Sequence, residues 1–358
     1  MDSQSVRSHP GSEIGWIGEA ETPNTYEKEI DMLFMHNRIS SLGVATILGT
    51  LIASVVSPAA SSADFEFEHM IIFGDSLSDS GNFFEATGEF VLPPYEPVAA
   101  APYAVGGAHF GNGRTWIEQL AATMHTPVSA NPAQRVPGVF TNYAFGRARA
   151  RSGAPAFPLF DLSSQVGLFL TDFGGAAPPE DLYVLWIGSN DVRDALFALA
   201  TDPSGATSTG IIADAITAIV NNMSALWSSG ARSFLVLNSP DLAIIPVVRA
   251  EGPVVQGAAL QLSAAYNDGL SGALDFLEVM LPGIQIVRVD VFSLLDAVVV
   301  SPEAFGLANV TEPCLTFGVV GRTTCSNPNR FLFWDGIHAT TAGHEILAEA
   351  AEDALDVP

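Results

Sequence analysis

The stretch Met70-Ile71-Ile72-Phe73-Gly74-Asp75-Ser76-Leu77-Ser78-Asp79-Ser80-Gly81-Asn82 decides how the rest of the chain is read. The apolar run from Met70 to Phe73 reads as a buried strand that breaks at Gly74. A strand ending in Gly-Asp-Ser places a hydroxyl at the carboxyl edge of a sheet, where open α/β folds bind their ligands. The turn adds backbone N–H groups beside that hydroxyl, and Ser78, Asp79, Ser80 and Asn82 are candidate caps for a following helix. Strand, turn and capped helix is the plain reading. The sharper one comes from the far end of the chain, where Phe333-Trp334-Asp335-Gly336-Ile337-His338 offers the two further groups a nucleophilic serine needs.

Beyond this stretch, strand-like and helix-like segments alternate. Trp116, Ile117, Leu120 and Met124 have helical spacing. Residues 139–145 alternate weakly and end at Gly146, a second strand. Leu162, Val166, Phe169 and Leu170 mark another amphipathic helix. Residues 182–187 are unbroken apolar, a strand buried on both faces, ending in Gly188-Ser189-Asn190-Asp191. A helix over 211–227, a strand over 234–237, a long helix over 254–281 and a last strand over 284–291 follow. Residues 340–355 close as a helix with Thr340 or Thr341 as its N-cap. Five such alternations mean an α/β fold with a parallel sheet and helices on both faces. Residues 88–113, rich in Pro, Ala and Gly, form a long connection that can wall a cleft. With no repeat or low-complexity linker after residue 63, one domain spans 64–358.

The chain has 358 residues, 48% of them hydrophobic, enough for a sizeable core. Its net charge of −25 argues against nucleic acid as a partner and against electrostatic attachment to anionic lipid. Residues 35–63 read as a signal peptide: His36 and Arg38, an uncharged run over 42–56, then small residues up to Ala63. The run is short for a membrane span, so no stable span is expected in the mature protein. Residues 1–34 read as an extension ahead of a true start at Met35, or as a disordered tail on a signal anchor. Cys314 and Cys325 read as one disulfide of an exported protein, secreted or periplasmic. Two free thiols or half a metal site are the alternatives, and the second lacks His or Cys partners at ligand spacing.

Serine needs a base within hydrogen-bond reach to act as a nucleophile. His338 is the best candidate for Ser76, and Asp335 can accept the other ring N–H and fix the tautomer. The Ser76 N–H, a backbone N–H near Gly146 and the Asn190 side-chain amide are candidate oxyanion donors, each worth about 3–4 kcal/mol of barrier. The plainer readings are these. His344 is structural, and His109 and His125 are surface residues. Asp79 and Asp191 cap helices. Arg147, Arg149 and Arg151 form a solvated basic face, or a contact to an anionic head group.

Four blocks in order carry a family resemblance: residues 74–82, Asn142-Tyr143-Ala144-Phe145-Gly146, Gly188-Ser189-Asn190-Asp191 and Asp335-Gly336-Ile337-His338. Phe110, Asn112, Gly113, Trp116 and Glu118 add to them. Over about residues 68–355 the chain resembles the GDSL/SGNH hydrolases, in particular secreted bacterial esterases, phospholipases and lecithinase/haemolysin-like members. The resemblance implies a three-layer α/β/α sandwich with a flavodoxin-like sheet. It implies Ser76 as nucleophile, Asp335 and His338 completing a triad, and Gly146 and Asn190 lining the oxyanion hole. The family's second block commonly reads Gly-Gly-Ala, whereas this chain has Gly146-Arg147-Ala148, so either Gly146 or Arg147 supplies the N–H. The expected function is an exported serine esterase or lipase acting on lipid-like or short-chain acyl esters, without metal or cofactor. A carbohydrate O-acetyl esterase and a non-catalytic binder on the same fold are the alternatives.

Overall fold

Four apolar runs become the parallel strands of one sheet in a computed structural model that describes residues 67–87, 90–91, 97–98, 108–153, 160–317 and 322–356. They are β1 (Met70–Gly74), β2 (Leu182–Trp186), β3 (Ser233–Leu237) and β4 (Gln285–Val289), side by side in that order. Met70 pairs with Leu182, Leu182 with Ser233 and Ser233 with Gln285, all in parallel register. Every residue of β1 and β2 is buried, the signature of strands covered on both faces. The expected extension and signal segment, residues 1–34 and 35–63, lie outside the described residues.

The segment expected as a second strand departs from a regular ladder. Residues 141–145 lie along the free edge of β1: the Ile72 N–H donates to Thr141 O, and Tyr143 and Phe145 donate to Ile72 O and Gly74 O. Its other edge bonds to Asn131 and Ala133 rather than to a further strand, so only isolated parallel bridges form, Ile72 with Asn142 and Pro132 with Asn142. This segment, which precedes β2 in sequence, therefore sits outside β1, the order of flavodoxin-like sheets.

The helices are α1 (Asn82–Thr87), α2 (Trp116–Thr123), α3 (Leu162–Asp172), α4 (Ser189–Ala198), α5 (Ala206–Ser229), α6 (Pro246–Ala250), α7 (Pro253–Met280), α8 (Val291–Val300) and α9 (Thr341–Asp356). Helices α3, α4, α5 and α7 pack on one another, and α2 packs on α9, giving a three-layer sandwich. The Gly343 N–H donates to Thr340 Oγ1, so Thr340 caps α9. Helix α5 has the length and apolar composition to cross a membrane, but its buried face, including Ile212, Ile219, Met223 and Leu226, packs against α3, α4 and α7. Phe73, Tyr183 and Phe234 fill the core, each worth roughly 2–3 kcal/mol of burial.

The Cys314–Cys325 disulfide closes an antiparallel hairpin, Leu315–Phe317 with Arg322–Thr324. The Cys314 N–H donates to Phe333 O and the Leu315 N–H to Trp334 O, so the hairpin lies directly against the run leading to Asp335. Cys314, Leu315 and Trp334 form a small apolar cluster of their own. With a sequence separation of 11, the crosslink is expected to stabilise by about 3 kcal/mol. Reduction should therefore lower the thermal midpoint by roughly 5–10 °C. Scanning calorimetry with and without reductant checks this, using Cys314→Ser/Cys325→Ser as the control for incomplete reduction.

Candidate active site

The carboxyl ends of the parallel strands bring the sequence motifs to one edge. β1 ends at Gly74, where a Cβ would stand 2.7 Å from Trp186 O, so only glycine lets β1 and β2 approach this closely. Gln165 of α3 clamps the same peptide: its Oε1 accepts from Gly74 N (2.9 Å) and its Nε2 donates to Gly74 O (2.8 Å). Asp75 O accepts the N–H groups of Ser78 and Asp79, and Asp75 Oδ1 accepts that of Leu77, winding the chain into a tight turn with Ser76 on it. Ser76 is half-buried, and among the described residues nothing accepts its N–H.

Ser76, His338 and Asp335 meet. Ser76 Oγ lies 3.0 Å from His338 Nε2, and Asp335 Oδ2 lies 2.9 Å from His338 Nδ1. Asp335 Oδ1 accepts the N–H groups of Ile337 and His338, at 2.8 and 2.7 Å. A carboxylate surrounded by three donors acts as acceptor only, so the imidazole proton belongs on Nδ1 and Nε2 is left to accept from Ser76. Asp335 and His338 are buried, and the Phe110 ring packs on the imidazole at 5.1 Å between centroids. The arrangement can take the hydroxyl proton from Ser76 and hold it on an oriented imidazolium.

Asn190 opens α4 at the end of β2, behind Gly188, whose φ of +113° suits glycine. Tyr266 fills the space a Cβ would need there and donates its hydroxyl to Ile187 O at 2.7 Å. Asn190 Nδ2 donates to Ala148 O (3.0 Å) and more weakly to Asp75 Oδ2 (3.4 Å). Burial pushes the Asp75 carboxyl up to about 6, against the pull of the Leu77 N–H and of His338.

Of the two backbone N–H groups expected as oxyanion donors here, Gly146 and Arg147, that of Gly146 already has a partner. Its N–H donates to Asp79 Oδ2 at 2.7 Å and is thereby committed to the protein's own carboxylate. Gly146 is glycine for steric reasons, since a Cβ would stand 2.4 Å from Phe110 Cζ. Arg147 takes the left-handed conformation, with φ of +68°, at the position where a second glycine is common in the resembling family.

Asp79 does cap α1, as expected: Oδ1 accepts from Gly81 and Asn82 and Oδ2 from Phe83. The arginine run is not a solvated face. Arg147 and Arg149 are buried; Arg147 lies over the Phe83 ring, and Arg149 and Arg151 pair with Asp191 and Asp194 of α4. His109 is not a surface residue either, with Nε2 2.8 Å from Glu118 Oε2. His344 is buried, and burial pushes its imidazole down to about 3. Gln165, Tyr266 and Phe110 as a packing group escape sequence reasoning, because each reads there as one more residue of an amphipathic face or loop. Among the described residues no group of three or more His, Cys, Asp or Glu is placed to hold a metal ion.

A family model described as GDSL-like Lipase/Acylhydrolase matches residues 70–351. A GDSL esterase/lipase of Arabidopsis thaliana is 25% identical over 305 residues, covering 78% of this chain and 86% of the relative. The phosphatidylcholine-sterol acyltransferase of Aeromonas hydrophila is 26% identical over 81% of this chain and 90% of its own length. The thermolabile hemolysin of Vibrio parahaemolyticus is 24% identical over 79% of this chain and 63% of its own. Among solved structures, a catalytic mutant of an acetylxylan esterase from Geobacillus stearothermophilus aligns with a TM-score of 0.41 and 13% identity, over 81% of this chain and 95% of that one.

Proposed function

The chain belongs to the GDSL-like lipase/acylhydrolase family and is a carboxylic ester hydrolase, and from that premise we propose that Ser76 is its nucleophile, His338 its general base and Asp335 the group that orients the base. The observation that carries this reading is the unbroken line of contacts from Ser76 Oγ to His338 Nε2 and from His338 Nδ1 to Asp335. As Ser76 Oγ bonds to the ester carbonyl carbon, its proton passes to His338 Nε2 and the carbonyl electron pair moves onto oxygen. The Ser76 N–H, the Asn190 amide and the Arg147 N–H stabilise that oxyanion; Arg147 replaces Gly146 because the Gly146 N–H is held by Asp79. Collapse expels the alcohol, which takes the proton from Nε2. Water then repeats the sequence on the acyl-enzyme and releases the acid.

Lipid-like or short-chain acyl esters are the proposed substrates, in keeping with the lipid-directed name of the Aeromonas relative. The disulfide supports an exported, oxidising location, as does the signal-like composition of residues 35–63.

A fluorophosphonate probe is expected to add once, on the peptide carrying Ser76, and mass spectrometry reads the site. Failure to label would favour a non-catalytic binder. A p-nitrophenyl series from acetate to palmitate then separates an extended acyl pocket from a small one. Turnover of acetate alone would turn attention to carbohydrate O-acetyl groups.

A further inference from the structure

Two of the proposed oxyanion donors sit on different elements, the Arg147 peptide on the loop after β1's neighbouring segment and the Asn190 amide on α4. Something must fix their separation, because a misplacement of about 1 Å can cost 10²-fold in rate. The buried Arg149 side chain touches both elements. Arg149 Nη1 donates to the carbonyl of Arg147 at 2.7 Å. The same guanidinium grips Asp194 with two bonds, Nε to Oδ2 at 3.0 Å and Nη2 to Oδ1 at 2.8 Å. Asp194 lies four residues after Asn190 on α4, so the two side chains share a helix face.

The surrounding contacts point the same way. Asn190 itself donates to Ala148 O, between the two arginines. Asp191 accepts from the Ala150 N–H and from Arg151, and Arg151 also reaches Asp194. The left-handed Arg147 costs conformational energy for a residue with a Cβ, and persists only where its surroundings hold it. A hydrogen bond to its own carbonyl from a side chain anchored on α4 is such a hold.

We propose that Arg149 is a positioning residue for ester hydrolysis, setting the Arg147 peptide and the Asn190 amide at a fixed separation by bonding the Arg147 carbonyl and the Asp194 carboxylate at once. The proposal rests on the oxyanion assignment made above. Lysine cannot replace Arg149 here, since an ammonium lacks the planar fork that makes three bonds in two directions.

The test compares Arg149→Met, Arg149→Lys, Asn190→Ala and the double variant Arg149→Met/Asp194→Leu, which removes both charges of the pair together and leaves Arg151 its bond to Asp191. Each is assayed for thermal midpoint, for kcat and KM on a p-nitrophenyl ester, and for inhibition by an alkyl boronic acid that mimics the tetrahedral adduct. Both single Arg149 variants are expected to lose about 10²-fold in kcat with KM within about threefold. Boronate affinity should fall in parallel. The double variant should recover the thermal midpoint while kcat stays low. The proposal is overturned if kcat and boronate affinity return with stability in the double variant, or if Arg149→Lys is fully active. If Asn190→Ala leaves kcat unchanged, the oxyanion assignment itself is wrong, and that outcome is distinct from a failure at Arg149 alone.

Discussion

Ser76→Ala is expected to lower kcat on a p-nitrophenyl ester by four to six orders of magnitude, to the level left by binding and oxyanion donors alone. The expectation follows from geometry. His338 Nε2 has Ser76 Oγ at 3.0 Å to accept from, and its ring is fixed on the other side by Asp335 at 2.9 Å. His338→Ala should fall nearly as far. The double variant Ser76→Ala/His338→Ala should fall no further than the worse single one, because residues acting as a unit are not additive. Asp335→Asn should lose about 10⁴-fold, since an amide facing Nδ1 favours the wrong tautomer. None of these should abolish folding, with the thermal midpoint as the control. A Ser76→Ala protein as active as the parent would remove the nucleophile assignment and the mechanism built on it.

Asp79→Ala is expected to be the most destabilising single change near the site, by about 3–5 kcal/mol. The carboxylate is fully buried and accepts four backbone N–H groups, from Gly81, Asn82, Phe83 and Gly146, at 2.7–3.0 Å. Deleting it leaves buried donors without acceptors, each costing on the order of 1–3 kcal/mol. Asp79→Asn separates this reading from simple capping. Asparagine is as good an N-cap as aspartate, so a capping role alone predicts a near-neutral change. Here an amide nitrogen would face the N–H groups of either Gly81 and Asn82 or Phe83 and Gly146, so a loss of at least about 2 kcal/mol is expected. Urea unfolding of the two variants measures it, and an Asn variant within a few tenths of a kcal/mol of the parent would reduce Asp79 to a helix cap.

The fold was legible because burial writes itself into runs: β1 and β2 are covered on both faces, and their sequences are apolar without interruption. Ser76, Asp335 and His338 could be paired at a distance because each sits in a short polar turn that breaks such a run or such a loop. Residues 139–145 were read as a strand, and 141–145 are extended, but their outer edge bonds to residues 131–133, a pairing no local pattern encodes. The arginines misled because alternate cationic residues look solvated; their partners, Asp191 and Asp194, lie some forty residues on and face them only after α4 is placed. The partner of the Gly146 N–H was hidden for a like reason, since its acceptor, Asp79, lies 67 residues earlier, on the turn that follows β1. The stretch before Arg330 offered no periodicity, and the hairpin there is defined by its crosslink.

The two halves of the proposed nucleophile–base pair stand 262 residues apart along the chain, one at the end of the first strand and the other one residue pair before the last helix. A ribosome makes the serine early and the imidazole almost last. Throughout that interval, and for as long as α9 has not docked on α2, Ser76 has no base and is an ordinary alcohol. Until its last helix is in place such a chain carries no ester-cleaving capacity, and it becomes active only where it finishes folding.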